Sequence, residues 1–187
     1  MKKPLIIFLI SIFSFFGVGY GDVSGGNSAF KYIGKDDYTS QNPNLGYSYR
    51  YEAENAWADE YHYFKVNDGN FAVVNGHFNS ILESFKLAVQ RKIYKNLEVI
   101  ERGERTIDGV KFLYAKLLIT QNGGKVEESY LYLTIFNGEF LKYRFTSGKP
   151  MRRDGAARQQ ESSAKKQLTV EEVEGFIKLR LAKLKKV

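Results

Sequence analysis

The 187-residue chain contains no cysteine. That excludes disulfides, thiolate nucleophiles, cysteine-ligated zinc or iron–sulfur sites and a lipid-attachment cysteine. Its two histidines, His62 and His77, fall on different predicted elements and lack the spacing of an H-E-x-x-H helix, so no metal site is expected. There is no G-x-S-x-G elbow, and Ser80 and Ser84 sit inside a helical pattern, which leaves serine catalysis without its geometry. No glycine-rich loop leads from a strand into a helix to cradle a phosphate, and no cofactor is expected. Long apolar runs are also scarce. The one clear example lies at the start, in "MKKPLIIFLISIFSFFGVGYG".

That opening pairs two lysines with an apolar run from Pro4 to about Gly17, followed by small residues. The order is that of a secretory signal peptide over residues 1–21, and the run falls short of the ~20 residues a spanning helix needs. Cleavage is expected near Gly19 to Gly21, which makes the protein periplasmic or secreted; an uncleaved N-terminal anchor is the alternative. With 43% hydrophobic and 15% aromatic residues, the remainder has material for one ordinary core.

Charge is unevenly placed. Without Lys2 and Lys3 the chain carries 26 basic and 21 acidic residues, a net +5. From Asp22 to Gly148 there are 15 basic and 16 acidic residues, whereas Lys149 to Val187 has 11 against 5. An exported protein with a neutral body and a basic tail is expected to meet anionic headgroups or an acidic partner rather than nucleic acid.

Residues 22–45, rich in Gly, Ser, Asn and Asp, read as a flexible lead-in, and residues 46–187 as one domain. Tyr47, Tyr49 and Tyr51 alternate with Ser48 and Arg50, a period of two that predicts a strand. A second aromatic segment with Trp57, Tyr61 and Tyr63 follows the polar break at Glu54 and Asn55 and completes a hairpin. From Asn75 to Asn96, Phe78, Ile81, Leu82, Phe85, Val89 and Ile93 recur at helical spacing, with Asn75 or a Ser80-x-x-Glu83 box as the cap. Four strand-like runs then alternate with turns at Asp108-Gly109, at "QNGG" with Asn122 and Gly123 in the turning role, and at Asn137-Gly138. They describe a four-strand meander.

The third and fourth runs, "YLYLTIFNGEFLKYRFTSG", are bulky on both faces: Leu131, Leu133 and Ile135 on one, Tyr130, Tyr132 and Phe136 on the other. A strand apolar on both sides must be covered on both sides. The helix before the meander supplies one cover. The other is "TVEEVEGFIKLRLAKLKKV", where Thr169 and Glu172 form a capping box and Val170, Val173, Ile177, Leu181 and Leu184 line one face. Between sheet and last helix, residues 148–167 read as a mobile basic loop. The fold class is α+β, an antiparallel sheet of meander plus N-terminal hairpin packed with two helices.

This order of elements, with "YLYLTIFNGEFLKYRFTSG" closing the meander, resembles small exported bacterial proteins similar to the PsbP and DcrB group. The resemblance implies an antiparallel sheet held between helices, and an accessory or assembly role on an extracytoplasmic membrane face. It implies no functional residues.

Among chemistry-bearing residues the aromatics are prominent. Thirteen tyrosines and one tryptophan, with Tyr47, Tyr49, Tyr51, Trp57, Tyr61 and Tyr63 crowded into one hairpin, suit either a cover for the sheet or a binding surface, since tyrosine buries area and keeps a hydroxyl for a partner. Lys142 and Arg144 share one face of their strand; they could form an anion-binding edge or serve as solvated charges on an edge strand. The binding candidates are therefore Tyr47, Tyr49, Trp57, Tyr61, Tyr63, Lys142 and Arg144, with no catalytic residue assigned. The expected function is a non-catalytic binding or accessory protein contacting a protein or envelope component, such as an envelope protein or glycan, through the aromatic surface, the basic C-terminal region or both. Peripheral contact of the C-terminal helix with anionic membrane is a further expectation. The alternative is a small hydrolase acting on an envelope glycan or ester with the carboxylates near Glu52–Glu60. Adjacent acids such as Glu127 and Glu128 should diverge on a strand.

Overall fold

The two-faced run Val126–Phe136 is the sixth strand of a sheet, and its faces go to different helices. Tyr130 and Tyr132 are buried with Phe176 and Ile177, whereas Leu131 and Leu133 are buried with Val74 and Phe78. The computed structural model describes residues 29–66, 70–148 and 168–186. The described residues form strands β1 (Lys31–Asp37), β2 (Tyr47–Ala53), β3 (Ala56–Lys65), β4 (Asn96–Ile107), β5 (Val110–Thr120), β6 (Val126–Phe136) and β7 (Glu139–Ser147), and helices α1 (Phe71–Gln90) and α2 (Val170–Leu184). The strands lie in the order β1-β2-β3-β7-β6-β5-β4, every neighbour antiparallel. The fold is α+β, with one helix on each side of the sheet.

Local chemistry accounts for the turns. At Asp108-Gly109 and Asn137-Gly138 all four residues have positive φ (50°, 78°, 51° and 76°), the two-residue turn that Asp-Gly and Asn-Gly favour because it matches strand twist. The "QNGG" turn works differently from the sequence expectation. There the positive φ belongs to Gly124 (81°), and the hairpin closes from Gln121 to Lys125. Asn122 instead donates its side-chain amide to the carbonyls of Lys92 and Ile93, tying this turn to the end of α1.

Both helix boundaries have identifiable causes. α2 starts at the expected capping box, with Glu172 N–H donating to Thr169 Oγ1 and Thr169 N–H to a Glu172 carboxylate oxygen. α1 begins earlier than expected, because Asn70 caps it by accepting from Ala72 N–H. It also ends earlier, at Gln90 rather than near Asn96. Lys92 adopts φ 58°, while Lys92 N–H bonds to Val89 O and Ile93 N–H to Ala88 O. This is a left-handed C-terminal cap built without glycine.

The lead-in reading of residues 22–45 needs correction. Residues 31–37 form β1 on the sheet edge, paired with β2, and Phe30 packs against Phe145 and Phe176. These segments carry little apolar periodicity, so only pairing with β2 gives them structure. The expected signal peptide lies outside the described residues, as does the basic loop after Gly148.

The strand carrying Lys142 and Arg144 also corrects an expectation. β7 is the central strand, hydrogen-bonded to β3 on one side and β6 on the other, so these charges do not guard a free edge.

Candidate functional site

The register of β2, β3 and β7 separates the candidate residues into two groups. Tyr49 pairs with Glu60 and Tyr47 with His62, facing α2. Tyr61 pairs with Lys142 and Asp59 with Arg144, facing the side that carries α1. Side chains alternate along a strand, so Trp57, Asp59, Tyr61 and Tyr63 of β3 share that second face. Of the seven predicted binding residues, Trp57, Tyr61, Tyr63, Lys142 and Arg144 come together; Tyr47 and Tyr49 do not join them.

The α2 face is closed around an ion pair. Glu60 is 0% exposed and takes two charge-assisted bonds from Arg180, Nε to Oε2 at 2.6 Å and Nη2 to Oε1 at 3.1 Å. His62 Nε2 lies 2.8 Å from Glu60 Oε1, and Tyr47 stacks on the His62 ring with centroids 4.8 Å apart. The Arg180 guanidinium in turn lies over Tyr49 and Tyr51. Burial by itself would raise the Glu60 pKa, but the bonds from His62 and Arg180 outweigh it and hold the carboxyl below its ordinary range. Beside this pair the Tyr143 hydroxyl is buried, near the Glu60 carboxylate but without a well-formed hydrogen bond among the described residues, and burial, with the Glu60 charge behind it, drives its pKa well up. This cluster pins α2 to the centre of the sheet.

Among the described residues the opposite face is only partly covered. α1 lies over β4, β5 and β6 and reaches β3 and β7 only with its flank, where His77 accepts or donates at 2.9 Å to the Tyr63 hydroxyl and Phe85 meets Arg144. Over β3 and β7 this leaves a shelf on which Trp57, Tyr61, Lys142 and Arg144 are each half-buried. The Lys142 ammonium stands 4.0 Å from the Tyr61 ring centroid and 5.3 Å from that of Tyr63. The Arg144 guanidinium lies 5.5 Å from Trp57 and 5.0 Å from Phe85, with a 3.3 Å bond from Nε to Ser129 Oγ. Such cation–π contacts are worth about 0.5–2 kcal/mol each, depending on desolvation.

Charges on the shelf are unequally matched. Arg50 bonds Asp36 at 2.5 Å and lies 3.6 Å from Asp59, so one guanidinium serves both carboxylates. Asp59, with a side chain 8% exposed, has its pKa raised by burial, against the opposing pull of Arg50, Arg144 and Lys142. Neither Lys142 nor Arg144 forms an ion pair with a carboxylate among the described residues. Burial, helped by the Arg144 charge, lowers the Lys142 pKa to about 8. Burial and the Lys142 charge lower His77 to about 4, which keeps its ring neutral at ordinary pH.

The carboxylates proposed for hydrolysis are spread over both faces and a turn. Asp59 and Glu60 project to opposite sides of β3; Glu60 is enclosed by Arg180 and His62, and Glu54 stands in the β2–β3 turn. Glu52 shares the face of Asp59, pairing with Trp57, but Asp59 is engaged by Arg50. Glu127 and Glu128 diverge as expected, the first to Lys125 and the second to Lys116. His62 and His77 lie on opposite faces of the sheet, and among the described residues no group of three or more His, Asp or Glu could hold a metal ion. On α2 the expected apolar face is spent against the sheet, with Val173, Phe176, Ile177 and Leu181 buried. Among the described residues no helix is long and apolar enough to cross a membrane.

Sequence reasoning missed Asp59, Arg50 and Asp36 as neighbours of the shelf, and Arg180 as the partner of Glu60. Period-two alternation in "YSYRY" and "WADEYHY" marks which residues share a face, but which strand lies alongside is not written locally.

No protein-family model matches the chain, and no curated protein matches it. The structure is similar to the solution structure of cyanobacterial PsbP (CyanoP) from Synechocystis sp. PCC 6803, with a TM-score of 0.45 and 12% identity, covering 74% of this chain and 87% of that chain.

Proposed function

We infer that this chain is a non-catalytic binding or accessory protein that contacts an envelope component through the shelf over β3 and β7. The observation that supports this reading is the pairing of Lys142 with Tyr61 and of Arg144 with Trp57 on a sheet face that α1 leaves partly uncovered. Amphipathic aromatics and arginine are the residue types enriched where proteins bind partners, and placing two cations that form no direct ion pair among the described residues in a partly desolvated site costs stability that a structural role does not require. Export to the periplasm or outside is part of the same reading, and the neutral body with a basic tail accords with an acidic or anionic environment. The α2 side is less suited to this role, because Glu60, Arg180 and His62 satisfy one another there.

The test is site-specific photocrosslinking in the native envelope, with a photoreactive residue at Trp57 and, as a control, at Glu83 on the solvent side of α1. A discrete adduct at position 57 and none at position 83 is the expected result. The reading is sunk by equal labelling at both positions, or by no adduct at position 57.

A further inference from the structure

The shelf carries five charges that act on one another: Arg50, Lys142 and Arg144 against Asp36 and Asp59. Three cations face two carboxylates, a net +1, and because Arg50 makes the ion pairs to both carboxylates, the excess positive charge lies towards Lys142 and Arg144. One monoanion neutralises this site, whereas a dianion overcharges it next to the buried Asp59. Lys142 and Arg144 are two residues apart on β7, so their backbone origins are separated by roughly 7 Å, close enough for one acidic group to reach both. Arg144 makes a single side-chain hydrogen bond, from Nε, among the described residues, and the outer fork of its guanidinium has the geometry that matches the paired acceptors of a carboxylate. The faces of Trp57 and Tyr61 are already occupied by these cations, so they do not offer open platforms for stacking a sugar ring.

We propose that Lys142 and Arg144 form a carboxylate-binding subsite that takes an acidic side chain of a partner protein. This rests on the shelf being the binding surface, and it adds the chemistry that the shelf recognises. Trp57 reports on it directly, because it is the chain's single tryptophan and lies under the Arg144 guanidinium.

The full exported chain would be titrated at constant ionic strength with the blocked tripeptide acetyl-Gly-Asp-Gly-amide, following Trp57 fluorescence. Its Asn counterpart, sodium glucuronate and inorganic phosphate are the comparison probes. The expected result is a saturable change with the Asp peptide and none with the Asn peptide, weakened about tenfold, or ~1.4 kcal/mol, in K142Q and in R144Q. Affinity is expected to fall as pH rises from 7 to 9.5, since Lys142 loses its proton there, and K142R should abolish that fall. The groups facing Lys142 are Asp59, Tyr61 and Tyr63 of β3, Arg144 of β7 and His77 of α1. His77 is neutral throughout this window, and burial pushes both tyrosines above their ordinary range. Near-ultraviolet circular dichroism and Tm of each variant confirm that it is folded.

A phosphate response stronger than that to the Asp peptide would overturn the carboxylate assignment. An equal response to glucuronate would overturn the protein side chain as the source. No saturable response to any probe would overturn the subsite, while an adduct at position 57 in the envelope would still stand as evidence for the shelf. Thus failure of the subsite and failure of the shelf are distinguishable.

Discussion

Replacing Arg180 by Met removes one half of an ion pair whose other half cannot reach water. Glu60 is 0% exposed and the Arg180 side chain 15%, so R180M leaves a buried carboxylate with His62 as its remaining polar contact. Breaking a buried pair from one side costs about 3–5 kcal/mol, because the orphaned charge keeps its desolvation penalty. For a chain of this length that lowers Tm by roughly 6–20 °C. The pH dependence gives a second signature. In the intact protein Glu60 is held below its ordinary value of 4.5, so its contribution is complete above that value and is lost as pH falls through the folded pKa. In R180M burial is no longer opposed by the guanidinium and Glu60 should titrate above 4.5, gaining stability as pH falls through the raised value. The gap between the two proteins should therefore be widest near pH 7 and narrow towards pH 4.5. The double replacement E60M/R180M, apolar on both sides, should lie within about 1 kcal/mol of the intact protein at pH 7. Urea denaturation at pH 7 and 4.5, followed by tryptophan fluorescence, measures all three. A cost below about 1 kcal/mol for R180M, or an equal cost for the double variant, would refute this account of how α2 is fixed to the sheet.

Gly46 carries φ 65°, and a Cβ there would stand 1.8 Å from the His62 carbonyl oxygen, so G46A should cost more than about 2 kcal/mol by strain and backbone displacement together. G103A, which meets nothing within 4 Å, is the control, and similar denaturation midpoints for both would contradict the clash. Tyr143 buries a hydroxyl without a well-formed hydrogen bond among the described residues, so Y143F should be neutral or stabilising by up to about 1 kcal/mol; a clear loss in urea would mean that the hydroxyl is bonded. Substituting both Trp57 and Tyr61 by Ala should abolish crosslinking from neighbouring shelf positions while retaining a cooperative thermal transition, and unchanged crosslinking would count against the shelf.

Much of the fold follows from short-range chemistry. Asp108-Gly109 and Asn137-Gly138 specify their turns because few other pairs accept positive φ at both positions. Thr169 and Glu172 announce the start of α2, and the bulk on both faces of β6 requires a layer on each side of the sheet. Residues without such signals misled the reading. Lys92 ends α1 in a conformation usually given to glycine, and β1 has no apolar alternation to mark it as a strand.

The sequence by itself determined the number and period of the meander strands, both amphipathic helices and the alternation that puts Trp57 and Tyr61 together on one face of their own strand and Tyr47 and Tyr49 together on one face of theirs, but not that the two pairs lie on opposite sides of the sheet. Only the tertiary structure decided that β7 docks beside β3 in the middle of the sheet. That pairing converts Lys142 and Arg144 from apparent edge charges into partners of Tyr61 and Trp57, and it places Glu60 under Arg180, 120 residues away. Turns and caps depend on neighbours a few residues apart and leave local signatures. Strand order depends on which whole faces bury best against one another, and no short stretch of chain records that choice.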